Sequence, residues 1–357
     1  MKKVAVIGVY GTGPDFTTGQ AVKCFELIHW LQGRYGDREV EIVNSYGWKR
    51  KPFALLFAVI RAFMTCETVI LLPAPHGVKV FVPLACILKK WFHRSAHYVV
   101  IGGWLAHMLA DHPLLKRCVS ALDGVYVEIP SMVEALEALG LQNAACLPNF
   151  RSRGVESPLK IDTQALPVKV CIYSRIVKEK GIEDGVEIVR LANEKMGGFF
   201  FELEIYGKVE AEFEREFGKL KEKNRNFVRY QGIRNAGEEE QVLASCFVLL
   251  FPSYYKGEGM PGTILDAFTS RTPAIANDWN YIREMIVHEE NGLIYPFRDL
   301  ETAAEELCRL YADKELYGRL VKGCEISAKQ YSSDVVLGRF AEMALDGKKK
   351  CKTKRVE

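Results

Sequence analysis

The chain holds ten cysteines but no Cys-x-x-Cys pair, and most stand inside apolar stretches, as at Cys86, Cys171 and Cys246. That distribution argues against a disulfide framework or a zinc site and for buried free thiols. Histidine is sparse as well: six of the seven precede residue 113, the last is His288, and none stands at metal-ligand spacing, so no structural metal is expected. No apolar run reaches the roughly eighteen residues of a membrane span. The run at 4–8 is too short for a signal peptide and leads into Gly, Pro and Asp residues, so it reads as the first strand of a cytoplasmic protein. No internal repeat stands out, and no recognition motif accompanies the basic residues, so no nucleic-acid partner is expected.

What is present is enough chain for two domains. Its 357 residues, 48% hydrophobic and 26% charged, fit two soluble α/β units, each large enough to bury a core. The net charge of +3 is uneven: residues 1–165 hold 18 Lys/Arg against 13 Asp/Glu, and residues 166–357 hold 30 against 32. A basic tail, 346–357, is expected to be frayed and solvated. Apolar strand-like runs alternate with helix-length stretches at 3–8, 40–44, 68–72, 96–101 and 124–127. A second series follows at 168–173, 200–206, 227–231, 248–251, 273–276 and 292–295. Such alternation predicts parallel sheets covered by helices, hence two Rossmann-like halves with ligand at the carboxyl ends of the strands. The polar, proline-bounded stretch 151–167 reads as the linker, and one long helical pattern covers 300–330.

The most informative run is Phe251-Pro-Ser-Tyr-Tyr-Lys-Gly-Glu-Gly-Met-Pro-Gly-Thr-Ile-Leu-Asp-Ala-Phe268. Residues 246–251 suit a buried parallel strand, and the Gly/Pro-rich loop after them turns into an amphipathic stretch near Gly262. Pro261 suits a first helical turn. A helix starting there aims unpaired N–H groups and a positive dipole end beyond the strand, which is an anion site. Glu258 precedes those amides and Asp266 lies about one turn inside the helix, so the run reads as a site for a phosphorylated sugar. A plain strand-to-helix turn is the competing reading.

The run continues through Arg271-Thr-Pro-Ala-Ile-Ala276 to Gly292-Leu-Ile-Tyr-Pro296. With Pro252, Ser253, Glu258, Gly259, Pro261, Pro273, Ile275, Glu284, Asn291, Gly292 and Leu293 in order, it resembles the donor half of retaining glycosyltransferases of the GT-B fold, family 4 (glycosyl transferases group 1). The chain departs from that pattern at Asp266, where the family usually has Glu, and at Arg271-Thr272, where Cys-Gly is common. The resemblance implies an α/β GT-B fold of two Rossmann-like domains facing a cleft. The implied divisions are 1–160 for the acceptor, 161–330 for the nucleotide-sugar donor, and a crossover helix at 331–345 returning to the first domain.

The same resemblance implies roles. Arg175 and Lys180, in Tyr173-Ser-Arg-Ile-Val-Lys-Glu-Lys-Gly181, match the segment that clamps the donor diphosphate, with Lys178 a competing candidate. A fixed guanidinium fork and a mobile ammonium suit a metal-free site. Glu258 would accept from hydroxyls of the donor sugar, and the amides of Gly259, Met260, Gly262 and Thr263 would lie near sugar and phosphate. Asp266 would accept from the ribose, although its side chain is about 1.5 Å shorter than Glu. Gly207, Gly232 and Ile233 would let the nucleotide approach, where ordinary turn glycines are the alternative. Gly19 falls at the second glycine of the family's first loop, with Thr18 replacing the other. Many members place a histidine where this chain has Gly102 or Gly103, leaving His76 and His107 as candidate stand-ins in the cleft. Asn149 matches the family's entry to the hinge.

The implied activity is a hexosyltransferase, retaining and metal-independent, that uses a nucleotide-diphosphate sugar and no cofactor. The acceptor would be a glycan or lipid-linked glycan of a cell-surface polysaccharide. The apolar, cation-containing stretches 52–64 and 81–93, with Trp91-Phe92 beside Lys89-Lys90, suggest peripheral contact with the inner face of a membrane. Two alternatives stay open: a catalytically weak nucleotide-sugar-binding partner, and an NAD-linked Rossmann enzyme. The second is weakened because Phe16 stands where the dinucleotide fingerprint needs its third glycine.

Overall fold

The buried apolar runs of the sequence form two six-stranded sheets, each parallel throughout. The structure is a computed structural model and describes residues 1–11, 18–152, 166–234 and 237–347. One unit takes Met1–Gly11, Thr18–Phe150 and the chain from Ser333 onward; the other takes Arg151–Ser332.

In the first unit the strands are β1 (Lys2–Gly8), β2 (Val40–Asn44), β3 (Cys66–Leu72), β4 (Ser95–Val99), β5 (Gly124–Val127) and β6 (Ala144–Cys146), in the order β2-β1-β3-β4-β5-β6. Its helices are α1 (Gly19–Tyr35), α2 (Pro52–Thr65), α3 (Pro75–Phe92), α4 (Leu105–Asp111), α5 (Pro113–Ser120) and α6 (Pro130–Ala138). The second unit has β7 (Val168–Tyr173), β8 (Phe201–Tyr206), β9 (Val228–Gly232), β10 (Val248–Phe251), β11 (Ala274–Asn277) and β12 (Leu293–Tyr295), in the order β12-β11-β10-β7-β8-β9. Around it lie α7 (Ile182–Met196), α8 (Glu214–Lys223), α9 (Glu239–Ala244), α10 (Gly262–Thr269), α11 (Leu300–Ala312) and α12 (Lys314–Gln330); α13 (Ser333–Ala344) belongs to the first unit. Both sheets are covered on both faces, which is why strands such as β5 and β10 read as unbroken apolar runs.

Three sequence expectations need correction. Strand β6 was not foreseen: Ala-Ala-Cys lacks β-branched residues, and pairing with β5, Val125 opposite Ala144, makes it a strand. The pattern over 300–330 is two helices, because the Asp313 carboxylate accepts the Glu315 and Leu316 amides and caps a new helix there. The interval 151–167 is not linker throughout, since Arg151 already bonds within the second unit. The expected division at 160/161 lies outside the described residues.

Strand order reverses once in each sheet, between β1 and β3 and between β7 and β10. Loops leaving neighbouring strands in opposite directions open a crevice at their carboxyl ends. In the first unit, Thr18 caps α1 by accepting the Ala21 amide at 3.4 Å, and Gln20 reaches the Leu72 carbonyl at 2.7 Å across that reversal. The core there holds Val4, Val6, Ile28, Ile70 and, from α13, Leu337 and Phe340.

His97 on β4 is buried, 3.2 Å from the Tyr126 hydroxyl, and burial lowers its pKa from 6.5 to about 4. Its stabilising contribution is therefore complete above pH 6.5 and is lost as the pH falls to 4, because the unfolded chain binds a proton that the fold refuses. The gap corresponds to about 3 kcal/mol. Urea unfolding between pH 7 and 4 should show wild type losing about that much more stability than His97→Phe; parallel pH profiles would contradict the assignment.

Candidate functional site

The crevice between β7 and β10 gathers most of the donor-side candidates. The chain after β7 carries Arg175, exposed, and then a 3-10 turn, Lys178–Lys180, that ends at Gly181. Gly181 has φ +70°, and a Cβ on it would lie 2.2 Å from the Pro252 carbonyl oxygen, so only glycine lets the β7 loop lie against the β10 loop. A backbone bond from the Tyr254 amide to the Glu179 carbonyl, 2.8 Å, joins the two. From the other side, the Asn277 amide group donates to the Ser253 carbonyl at 3.2 Å and the Trp279 indole to the Tyr255 carbonyl at 3.3 Å. The loop holding Glu258 is therefore braced by both halves of the sheet.

This bracing brings Lys180 and Glu258 into an ion pair, with side chains only 11% and 15% exposed. The Ser253 hydroxyl donates to the same carboxylate oxygen at 3.2 Å. Lys180 also sits over the rings of Tyr255, 5.3 Å, and Phe251, 5.9 Å, while the Arg175 guanidinium lies 5.7 Å from the Tyr255 centroid. One aromatic ring thus holds both cations toward the crevice. Tyr255 was not singled out from the sequence; its place two residues after Ser253 in a Gly/Pro-rich loop is the signal. Lys178 starts the turn and points to solvent.

Helix α10 starts where the sequence places it, with Pro261 as its N-cap residue rather than in its first turn. Among the described residues the Gly259, Gly262 and Thr263 amides have no hydrogen-bond acceptor, so the helix start offers donors. Met260 is buried beneath them, and the Thr263 hydroxyl donates to the Tyr173 carbonyl at 3.1 Å, tying the helix to the end of β7. Gly207 accepts the Tyr230 hydroxyl at 2.9 Å and donates its amide to Gly232 at 3.0 Å; Ile233 next to it is 49% exposed.

Asp266 is the residue whose surroundings the sequence did not foretell. It is buried, and Arg151 grips it with two nitrogens, Nη2 at 3.2 Å from Oδ2. Gly262 makes room for that guanidinium, since a Cβ there would stand 2.2 Å from Nη2. Nearby, burial and then the Asp266 charge raise the pKa of Glu239 above the usual carboxylate range. The carboxylate expected to face ribose hydroxyls is already engaged.

In the first unit Gly19 starts α1 in open space, His76 is exposed in the first turn of α3, and His107 is exposed on α4. The Gly102 amide next to Gly103 donates to Glu128 at 3.1 Å. Glu128 in turn pairs at 2.8 Å with Lys23, both almost fully buried. That pair, also unforeseen, holds the Gly102–Gly103 turn.

Residues 160–325 match the family model described as Glycosyl transferases group 1. That stretch, somewhat less than half of the chain, is similar to the group 1 glycosyl transferases. Among curated relatives, an exopolysaccharide phosphotransferase of Streptomyces coelicolor is 27% identical over 302 residues, 79% of this chain and 29% of that protein. The amylovoran biosynthesis glycosyltransferase AmsK of Erwinia amylovora is 25% identical over 150 residues, 40% of this chain and 36% of its own. The chain spans about a third of the length of the curated relatives it matches. In structure, Anabaena HepE, crystallised with UDP, superposes with a TM-score of 0.72 at 14% identity, covering 96% of this chain and 99% of HepE. The fold is GT-B.

Stripping the partner from a buried carboxylate is costly, whereas removing both charges is not. Arg151→Met should lower unfolding free energy by about 3 kcal/mol, and adding Asp266→Asn should recover much of that loss. Equal losses in chemical denaturation would show that the pair is uncoupled.

Proposed function

We propose that the protein is a glycosyltransferase that moves a hexose-type sugar from a nucleotide-diphosphate sugar to a glycan acceptor in polysaccharide synthesis, with retention at C1 and without a metal. The observation that carries this reading is the meeting of Lys180, Arg175 and Glu258 at the β7/β10 reversal beside the free amides of α10. Breaking the bond from C1 to the leaving oxygen builds negative charge on a phosphate, and two cations with a helix start would meet that charge. Glu258 is the acceptor for hydroxyls of the transferred sugar, and the departing phosphate takes up the acceptor's proton. HepE, crystallised with UDP, and AmsK, named for amylovoran biosynthesis, support the donor class and the pathway type.

Lys180 and Glu258 neutralise one another. Phosphate arrival would draw Lys180 from the carboxylate, releasing Glu258 for the sugar; one exchange would prepare both partners. Arg151 would hold Asp266 at the ribose position, correcting for the shorter side chain by presenting guanidinium N–H groups instead of carboxylate oxygens. This latch also favours the second reading, a nucleotide-sugar-binding partner with weak turnover.

Glu258→Gln should reduce transfer from a nucleotide-sugar by at least about a hundredfold while leaving the melting temperature nearly unchanged; parallel loss of both would make Glu258 structural. Arg175→Ala should weaken nucleoside diphosphate binding by roughly tenfold and leave nucleoside binding unaltered, as read by calorimetry. Unchanged diphosphate affinity would remove Arg175 from the site. Nucleoside diphosphate binding with no release from any nucleotide-sugar would favour the second reading.

A further inference from the structure

The positive charge of the chain is concentrated away from the donor-side residues. Residues 42–110 hold eight Lys/Arg and one acidic residue, Glu67, whereas the rest of the chain holds forty against forty-four. Two helices from this stretch, α2 and α3, pack side by side on the first unit's sheet. The connections β2-α2-β3 and β3-α3-β4 step across the sheet in the same direction, which puts both helices on one face.

Each helix is apolar on its outer side as well as its inner one. Phe53, Phe57 and Met64 stand on α2 at spacings of four and seven, and Val80, Ile87 and Trp91 stand on α3 at seven and four. All six are exposed, Phe53, Phe57 and Trp91 by 70% or more. Singly exposed apolar residues need no explanation, but two adjacent stripes do. Cations frame them. Lys49, Arg50 and Lys51 lead into α2, on a turn pinned by the Trp48 ring against Phe81 of α3, and Lys90 closes α3; among the described residues none of the four has an acidic partner.

We propose that the α2–α3 face docks on an anionic lipid surface, its aromatic side chains entering the headgroup layer and Lys49, Arg50, Lys51 and Lys90 meeting lipid phosphates. Neither helix can span: α2 has 14 residues, and no described helix is long and apolar enough to cross a membrane. With its opposite side packed on the sheet, each helix can only lie flat. A second copy is a poor occupant, because it would set one cationic frame against another. Nucleic acid would leave Met64, Val80 and Ile87 without stacking partners. The proposal is independent of the transfer reaction and refines the sequence expectation, since Trp91 is exposed where Phe92 is half-buried.

The test is flotation of the full chain with phosphatidylcholine vesicles, with and without phosphatidylglycerol. Binding should require phosphatidylglycerol and weaken with salt. Replacing Phe53, Phe57 and Trp91 together by Ser should weaken it by at least about tenfold, and reversing Lys49, Arg50 and Lys51 to Glu by roughly a hundredfold. These side chains are exposed, so unchanged thermal unfolding will show that both variants fold. Reversing Lys348, Lys349 and Lys350 in the tail should change binding by no more than about twofold. The proposal fails if neutral vesicles bind equally well, if the aromatic variant still binds, or if tail reversal does as much as the Lys49–Lys51 change. It also fails if the same substitutions instead dissolve a dimer or abolish binding of a single-stranded RNA.

Discussion

Close backbone contact between the loops that leave β7 and β10 is the constraint on which the second unit's site depends. The two strands lie side by side where strand order reverses, so their loops must either part or touch. Gly181 lets them touch, against the Pro252 carbonyl. Everything that follows uses that proximity: the Lys180–Glu258 pair, the shared Tyr255 ring, and Thr263 tied back to Tyr173. A side chain at residue 181 would separate a cation from a carboxylate that are 78 residues apart in sequence.

The site is also electrostatically economical. Two cations beside a helix start would repel one another and the helix dipole if left alone. Here one is paired with Glu258 and both lean on an aromatic face, so their mutual repulsion is offset and both cations are held in place. Arg151 and Asp266 repeat the device one turn into α10, in more buried surroundings. Under the proposed function, preorganisation of this kind would let a diphosphate exchange partners with a cation already in position.

The strands were legible because parallel strands covered on both faces tend to read as apolar runs, and β10 satisfies that rule residue by residue. The loop between Phe251 and Gly262 was legible because glycine, proline and a following apolar period have few other uses together. What stayed hidden depended on distant partners. Nothing in Ala-Ala-Cys announces a strand until β5 lies next to it. The period of 300–330 runs on without a visible break at Asp313, where a side-chain cap outweighs it.

Resemblance to a family singled out Arg175 and Lys180; by itself, the sequence determined the two βα series, the helix start near Gly262 with Glu258 in the loop before it, and the uneven charge. These are local properties, set by hydrophobic period, turn chemistry and residue type. Only tertiary structure decided which charges meet. Arg151 reads as linker until the fold lays it on Asp266, Lys180 and Glu258 become partners only through Gly181, and Lys23 finds Glu128 across 105 residues. The same holds for the α2–α3 face: periodicity shows that both sides of each helix are apolar, but which side the sheet covers is settled by packing. Ion pairs and exposed faces depend on three-dimensional proximity, and proximity between distant residues is what a linear pattern does not encode locally.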